Sequence, residues 1–294
     1  MRLSAVPLTI HTPSATVTQR KTSMTHYSPR GIAGSAFQHN RSKAALMIPD
    51  LLRRSARRLP APIAGALVRL ADSDAVVLVR ALLAVGAVWF FIALASEVGE
   101  GDTLQMDQRI VRSLRDATDP ALPIGPAWLS GAMRDLTALG SNVVLLLFTT
   151  AVAIFFAVRR QTHALALVVG STTGGFILAQ ALKIVFARPR PEIVPHLAVV
   201  TSSSFPSGHS MFSAVVYLTL GALLSQMVKE RGLKSYFLAV ACFLTLVVGV
   251  SRVYLGVHYP TDVLAGWAAG LAWAVLCWMV ASHLQRRGTV EPPR

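Results

Sequence analysis

The chain has 294 residues, of which 53% are hydrophobic and only 14% charged. That is too apolar for an ordinary soluble domain and fits a polytopic membrane protein. The net charge of +14 does not mark a nucleic-acid binder: eleven of the 28 Lys and Arg precede residue 73, against Asp50 and Asp72 alone, and most of the rest flank apolar segments. Cys242 and Cys277 fall inside apolar segments and read as small packing residues, neither a disulfide framework nor a metal site.

In chain order, residues 1–72 are rich in Ser, Thr, Pro and Arg and contain no long apolar run, so they read as a basic, disordered cytoplasmic arm. No secretory h-region is visible, and no cleavable signal peptide is expected. The acid-poor composition also has the character of an organelle transit peptide, with Met24 and Met47 as alternative starts. Met47 to Leu70 reads either as a basic amphipathic helix on an anionic membrane face, interrupted at Pro60 and Pro62, or as a solvated arm.

Residues 73–285 carry six apolar segments, at about 76–97, 141–158, 163–183, 210–228, 235–251 and 261–283. Each is near the roughly 20 residues that a helix needs to span a bilayer. The expected architecture is therefore all-α, a six-transmembrane-helix bundle. Arg80, near the start of the first segment, is expected to snorkel to the headgroups. The second and fourth linkers are short and basic (Arg159, Arg160; Lys229, Arg231, Lys234), and the tail 286–294 opens with Arg286 and Arg287. Positive charge at both termini and in these linkers places them in the cytoplasm and linkers one, three and five outside. The outer linker 98–140 is expected to form two short surface helices: Leu104, Ile110, Val111 and Leu114 have helical spacing, Pro120, Pro123 and Pro126 break the run, and Trp128 suits an interface. The run Gly170–Gly175 makes the third span small in its middle, as close helix packing requires.

Three stretches carry chemistry, and all map to outer linkers three and five. Lys183 and Arg188-Pro-Arg190-Pro191 leave the third span; Pro206-Ser207-Gly208-His209 enters the fourth; Ser251-Arg252, His258 and Asp262 enter the sixth. Lysine, arginine, backbone N–H groups and a helix N-terminus together bind a dianionic oxyanion, of which phosphate is the commonest. Gly208 lets backbone approach the anion, and Ser207 either caps the fourth helix or bonds a phosphate oxygen. Asp262, four residues beyond His258, can share a helix face with it and fix its tautomer, which makes His258 the better nucleophile. His209 lacks an acidic neighbour in sequence and suits the acid that protonates the leaving oxygen, then the base that activates water. No carboxylate cluster remains for Mg²⁺, and His/Cys spacing offers no zinc site, so no cofactor is expected. His163, His196 and His283 read as bystanders, Trp267, Trp273 and Trp278 as packing or anchoring residues, and Glu192 as a rim charge.

These stretches resemble the signature of the type-2 phosphatidic acid phosphatase superfamily, which includes bacterial acid phosphatases and vanadium haloperoxidases. Lys183 with Arg190-Pro191, Pro206-Ser207-Gly208-His209, and Ser251-Arg252 with His258 and Asp262 match it without departure. The resemblance implies six spans with cytoplasmic termini and an outward-facing site. It implies a phosphohistidine at His258, acid/base work at His209, and phosphate contacts from Lys183, Arg190, Ser207, Gly208 and Arg252. It also implies a lipid phosphate or pyrophosphate substrate drawn from the surrounding membrane lipids, with undecaprenyl pyrophosphate the first expectation and phosphatidylglycerol phosphate or phosphatidic acid the second. A lipid-to-lipid phosphotransferase would use the same residues. A haloperoxidase or a non-catalytic anion-binding or transport protein are the rivals from other classes, and nothing charged lies midway along spans two to six to line a transport path.

Overall fold

A computed structural model describes residues 75–198 and 202–286; the expectations for the arm 1–72, and for the tail beyond 286, lie outside these residues. The described residues form helices α1 (Ala75–Glu100), α2 (Leu104–Ser113), α3 (Ala127–Ala138), α4 (Asn142–Val158), α5 (Thr162–Phe186), α6 (Gly208–Met227), α7 (Arg231–Tyr254) and α8 (Pro260–Arg286), with no strand among them. Five of these helices are long and apolar enough to cross a membrane, and α4 makes a sixth when joined to α3, from which it bends by 46°. The chain is an all-α, multi-pass membrane protein. Each expected span matches one of these helices to within four residues at either end, and α5, α6, α7 and α8 run one to three residues further on the chemistry-bearing side. The 98–140 linker does hold two short helices, α2 and α3.

Helix α6 is the axis of the bundle and packs against α5, α7 and α8. Its apolar residues point every way, as a surrounded helix requires: Met211, Phe212, Val215, Val216 and Leu220 are all buried. The outer faces of α1 and α4 stay apolar and exposed (Leu82, Val85 and Trp89; Val143, Leu147 and Val158), which suits lipid rather than water.

Small residues let the helices touch. A side chain at Gly266 of α8 would stand 2.7 Å from the Ser207 carbonyl oxygen, and one at Gly270 would stand 2.6 Å from the Met211 carbonyl oxygen. This Gly-x-x-x-Gly pair brings α8 onto the backbone of α6, a contact the sequence reading did not single out. On α5, Gly174 and Gly175 receive the Trp273 ring, whose Nε1 donates to the Ser171 carbonyl at 2.8 Å. Close packing in the middle of the third span is thus explained by a tryptophan of the sixth. Trp267 likewise donates to the Thr245 carbonyl at 3.1 Å, and Trp278 is buried.

Arg80, expected to reach for the headgroups, lays its guanidinium over the Trp278 ring, 5.5 Å from the centroid. Cys242 is exposed on the outer side of α7 rather than packed inside, and Cys277 is only partly buried.

Candidate active site

The site forms where the C-terminal ends of α5 and α7 meet the N-terminal ends of α6 and α8. Local sequence builds each end. Ala187, in the left-handed region at φ 43°, caps α5 and sends Arg188 and Arg190 back across the bundle. Ser207 caps α6: its Oγ accepts from the Ser210 amide at 3.5 Å and from the Ser210 hydroxyl at 2.9 Å. Pro260 opens α8, where its missing N–H costs nothing. Asp262, two residues on, reaches back to accept the Tyr259 amide at 2.9 Å, the acidic half of a capping box. The Ser207 amide donates to the Asp262 carbonyl at 2.9 Å, so the starts of α6 and α8 are fastened together.

A cavity of about 290 Å³ lies among these ends. Lys183, Arg190, Gly208, His209, Arg252 and His258 line it, so the three sequence stretches converge. Ser207 and Asp262 stand behind the wall. Both are fully buried, and the Ser207 hydroxyl is engaged with its own helix. A side chain at Gly208 would approach Lys183 Cε to 3.1 Å, so glycine keeps the lysine against the α6 N-terminus.

The three cavity cations have neutral partners. Lys183 donates to the Ser203 carbonyl at 2.7 Å and to Ser202 Oγ at 3.3 Å. Arg190 donates to the Ser202 and Val257 carbonyls, each at 2.7 Å. Arg252 donates to Thr137 Oγ1 at 3.2 Å, while its buried Nε has no partner among the described residues. Three unneutralised cations and an orphaned buried donor facing one cavity are the electrostatic outline of an oxyanion.

His258 is 1% exposed. Its Nε2 lies 3.1 Å from Arg190 Nη1, and its Nδ1 lies 3.4 Å from both Asp262 Oδ2 and Ser204 Oγ. Burial, reinforced by the charges of Arg190 and Arg252, pushes the imidazole pKa down to about 3, although the Asp262 contact opposes it. Burial thus favours the neutral form of the ring. His209 sits on the first turn of α6 and lines the cavity, and Glu192 is exposed and does not line it. His196 holds the Pro191 carbonyl at 2.6 Å, away from the cavity.

Several contributors were missed in the sequence. Ser204 Oγ donates to Asp262 Oδ2. Arg188, disguised in sequence as a neighbour of Arg190, faces the other way and forms ion pairs with Asp262 at 2.7 Å and Asp107 at 2.9 Å. Burial alone would lower its pKa, but the two carboxylates outweigh burial and raise it. Asn142 and Gln180 also line the cavity; as lone amides in apolar helices, they were the available signal.

Comparison with known proteins agrees with this geometry. Residues 163–286 match the PAP2 superfamily. Phosphatidylglycerophosphatase B of Bacillus subtilis is 34% identical over 185 residues, covering 62% of this chain and 86% of that protein. The chain belongs to the PAP2 superfamily. The crystal structure of the transmembrane PAP2-type phosphatidylglycerolphosphate phosphatase from Bacillus subtilis superposes with a TM-score of 0.63 at 30% identity, over 70% of this chain and 98% of that one. An undecaprenyl-diphosphatase of Sulfolobus acidocaldarius is 29% identical over 49% of this chain and 66% of its own length. The PAP2 match, relatives named as lipid phosphatases and the long apolar helices together identify an integral-membrane phosphate-ester hydrolase, as the signature resemblance implied.

Proposed function

We propose that this PAP2 protein releases inorganic phosphate from a lipid phosphate or pyrophosphate, through a phosphohistidine on His258, at the outer face of the cytoplasmic membrane. The observation that carries the reading is that His258 lines a cavity walled by Lys183, Arg190 and Arg252, with its Nε2 3.1 Å from Arg190 Nη1. A guanidinium only donates, so the nitrogen facing Arg190 holds a lone pair, and the ring proton sits on Nδ1 toward Asp262. This is the tautomer of a nucleophile.

In the first step Nε2 attacks phosphorus, forming an N–P bond as the P–O bond to the lipid breaks; His209 gives its proton to the departing oxygen. Asp262 stabilises the positive charge that develops on the attacked imidazole. In the second step His209 takes a proton from water, whose oxygen displaces the imidazole and completes inorganic phosphate. Lys183, Arg190, Arg252 and the Gly208 end of α6 hold the equatorial oxygens, where charge builds in the transition state. The chemistry draws on side chains alone and is proposed to need no metal.

Phosphatidylglycerol phosphate and an isoprenoid diphosphate such as undecaprenyl pyrophosphate are the substrate candidates, each supported by the name of a relative. The outward orientation rests on Arg159, Arg160, Lys229, Arg231 and Lys234 clustering where α4, α5, α6 and α7 turn at the end away from the site. The test is phosphate release by purified protein from a panel of both lipids and phosphatidic acid, with EDTA present. Wild type is expected to turn over at least one, and His258→Ala none. Activity retained in His258→Ala would overturn the mechanism, and loss of wild-type activity in EDTA would overturn the metal-free claim.

A further inference from the structure

We propose that Asp107 and Arg188 form a positioning pair that sets the orientation of Asp262, and through it the tautomer of His258. Asp107 lies outside the three signature stretches, Arg188 lies within the first but is not one of its matched positions, and neither lines the cavity. They lie behind it, in a closed network.

Asp107, on the outer-linker helix α2, is 0% exposed. Its Oδ1 accepts the Thr261 amide at 3.1 Å; its Oδ2 accepts the Thr261 hydroxyl at 2.5 Å and Arg188 Nη2 at 2.9 Å. Arg188 in turn gives Nη1 to Asp262 Oδ1 at 2.7 Å and to Thr261 Oγ1 at 2.9 Å, and its plane lies 4.6 Å from the Tyr259 ring centroid. The guanidinium is thus held by two carboxylates, a hydroxyl and an aromatic face.

The consequence falls on Asp262. With Arg188 fixed on Oδ1, the carboxylate cannot rotate about its χ2, and Oδ2 is left facing Ser204, the Tyr259 amide and His258 Nδ1. A carboxylate that turned away would release the ring proton, and Nε2 would lose its assured lone pair. Charge explains why a second aspartate is present. A single Arg188–Asp262 pair would sum to zero beside an imidazole that must become cationic; adding Asp107 leaves the group of three at −1. A buried charge is stranded when its partner is removed, so each member depends on the others. A purely structural role, fastening α2 to the start of α8, would use the same bonds but leave the chemistry of folded protein unchanged.

The proposal rests on His258 being the nucleophile, and the experiment separates the two. Arg188→Gln, Asp107→Asn and the isosteric Thr261→Val, which keeps both charges, are compared with His258→Ala in detergent. Turnover is normalised to folded protein and measured on the lipid that wild type hydrolyses. The charge variants are expected to lose roughly 10–100-fold in kcat, as outer partners of an orienting ligand do, with KM held within about threefold. Thr261→Val removes a hydroxyl bonded to both charged members and is expected to lose about 10-fold, the low end of what a hydrogen bond to a charged group is worth. In ¹⁵N spectra of histidine-labelled protein, the His258 signal should move from the Nδ1–H form toward a tautomer mixture in Arg188→Gln. Wild-type kcat and an unmoved His258 signal in all variants that fold would overturn the pairing while leaving His258 as nucleophile. Retained activity in His258→Ala would overturn the site reading itself. If the charge variants fail to fold, Thr261→Val decides alone, by the same two readouts.

Discussion

Arg190 Nη1 stands 3.1 Å from His258 Nε2, on the very nitrogen that must reach phosphorus. The same guanidinium is one of three cations lining the cavity. Attack therefore requires Arg190 to leave the lone pair, and a phosphate dianion is the stronger acceptor that would draw it away. The phosphate clamp and the release of the nucleophile are, on this geometry, one movement.

A spectroscopic consequence follows from the low His258 pKa. An ordinary histidine titrates near 6.5, but burial holds this ring down at about 3. ¹⁵N spectra should show His258 as neutral Nδ1–H imidazole throughout pH 5–8, with Nε2 shifting when vanadate draws Arg190 off. The sign for stability follows: below about pH 6.5 the unfolded chain takes up a proton that the native ring refuses, so His258 disfavours the folded state progressively down to about pH 3. An imidazolium signal at pH 6 would contradict the assignment.

Asp262→Asn keeps the size of the side chain but presents an amide where Oδ2 faced Nδ1. Loss of the tautomer-fixing carboxylate in a comparable triad lowers kcat about 10⁴-fold, and a fall of that order is expected here with little change in KM. Ser204→Ala, which removes the hydroxyl that bonds Asp262 and lies 3.4 Å from His258 Nδ1 but keeps the carboxylate, should lose on the order of tenfold. Steady-state kinetics on the two variants checks the order; equal losses would mean that Asp262 does not set the tautomer.

Arg252 makes a separate prediction, because its buried Nε has no partner among the described residues while Nη1 is occupied by Thr137. A hydrogen bond from a charged donor is worth about 1.5–3 kcal/mol, so Arg252→Gln should weaken inhibition by inorganic phosphate or vanadate on the order of 10–100-fold. Thr137→Val, which frees Nη1 but keeps the charge, should weaken it far less. Inhibition constants unchanged in Arg252→Gln would remove this arginine from the phosphate site.

The spans and the cavity residues were legible in the sequence for the same physical reason: both are local signals. A bilayer needs an unbroken apolar run, so α1, α5, α6, α7 and α8 announce themselves. The cavity residues sit within a few positions of a helix end, as Lys183, His209 and Arg252 do. What stayed hidden is non-local. Asp107 meets Thr261 across 154 positions, and no spacing rule reaches that far. Arg188 and Arg190 are two residues apart in the same Arg-Pro repeat, yet one supports Asp262 and the other faces the cavity; only the path of the backbone beyond Ala187 separates them. Ser207 showed the limit of motif reading from the other side: the sequence allowed a cap or a phosphate contact, and its hydroxyl bonds Ser210.

The contact between α6 and α8 gives the last test, on stability. A Cβ at Gly266 would stand 2.7 Å from the Ser207 carbonyl oxygen and 3.1 Å from the Met211 amide nitrogen, both backbone atoms that cannot turn aside. Gly266→Ala must therefore push α8 from the start of α6, where the Ser207 amide holds the Asp262 carbonyl. Overpacking of this kind costs about 1–3 kcal/mol, and the shift also disturbs the spacing between His209 and His258. A lower melting temperature in detergent and a lower kcat are expected together. Gly170→Ala is the control: nothing lies within 4 Å of its Cβ, and alanine favours the helix by up to about 1 kcal/mol over glycine. It should melt at or above the wild-type temperature with normal turnover. If Gly266→Ala melted as wild type does, close backbone packing would not be what fastens the two histidine-bearing ends together.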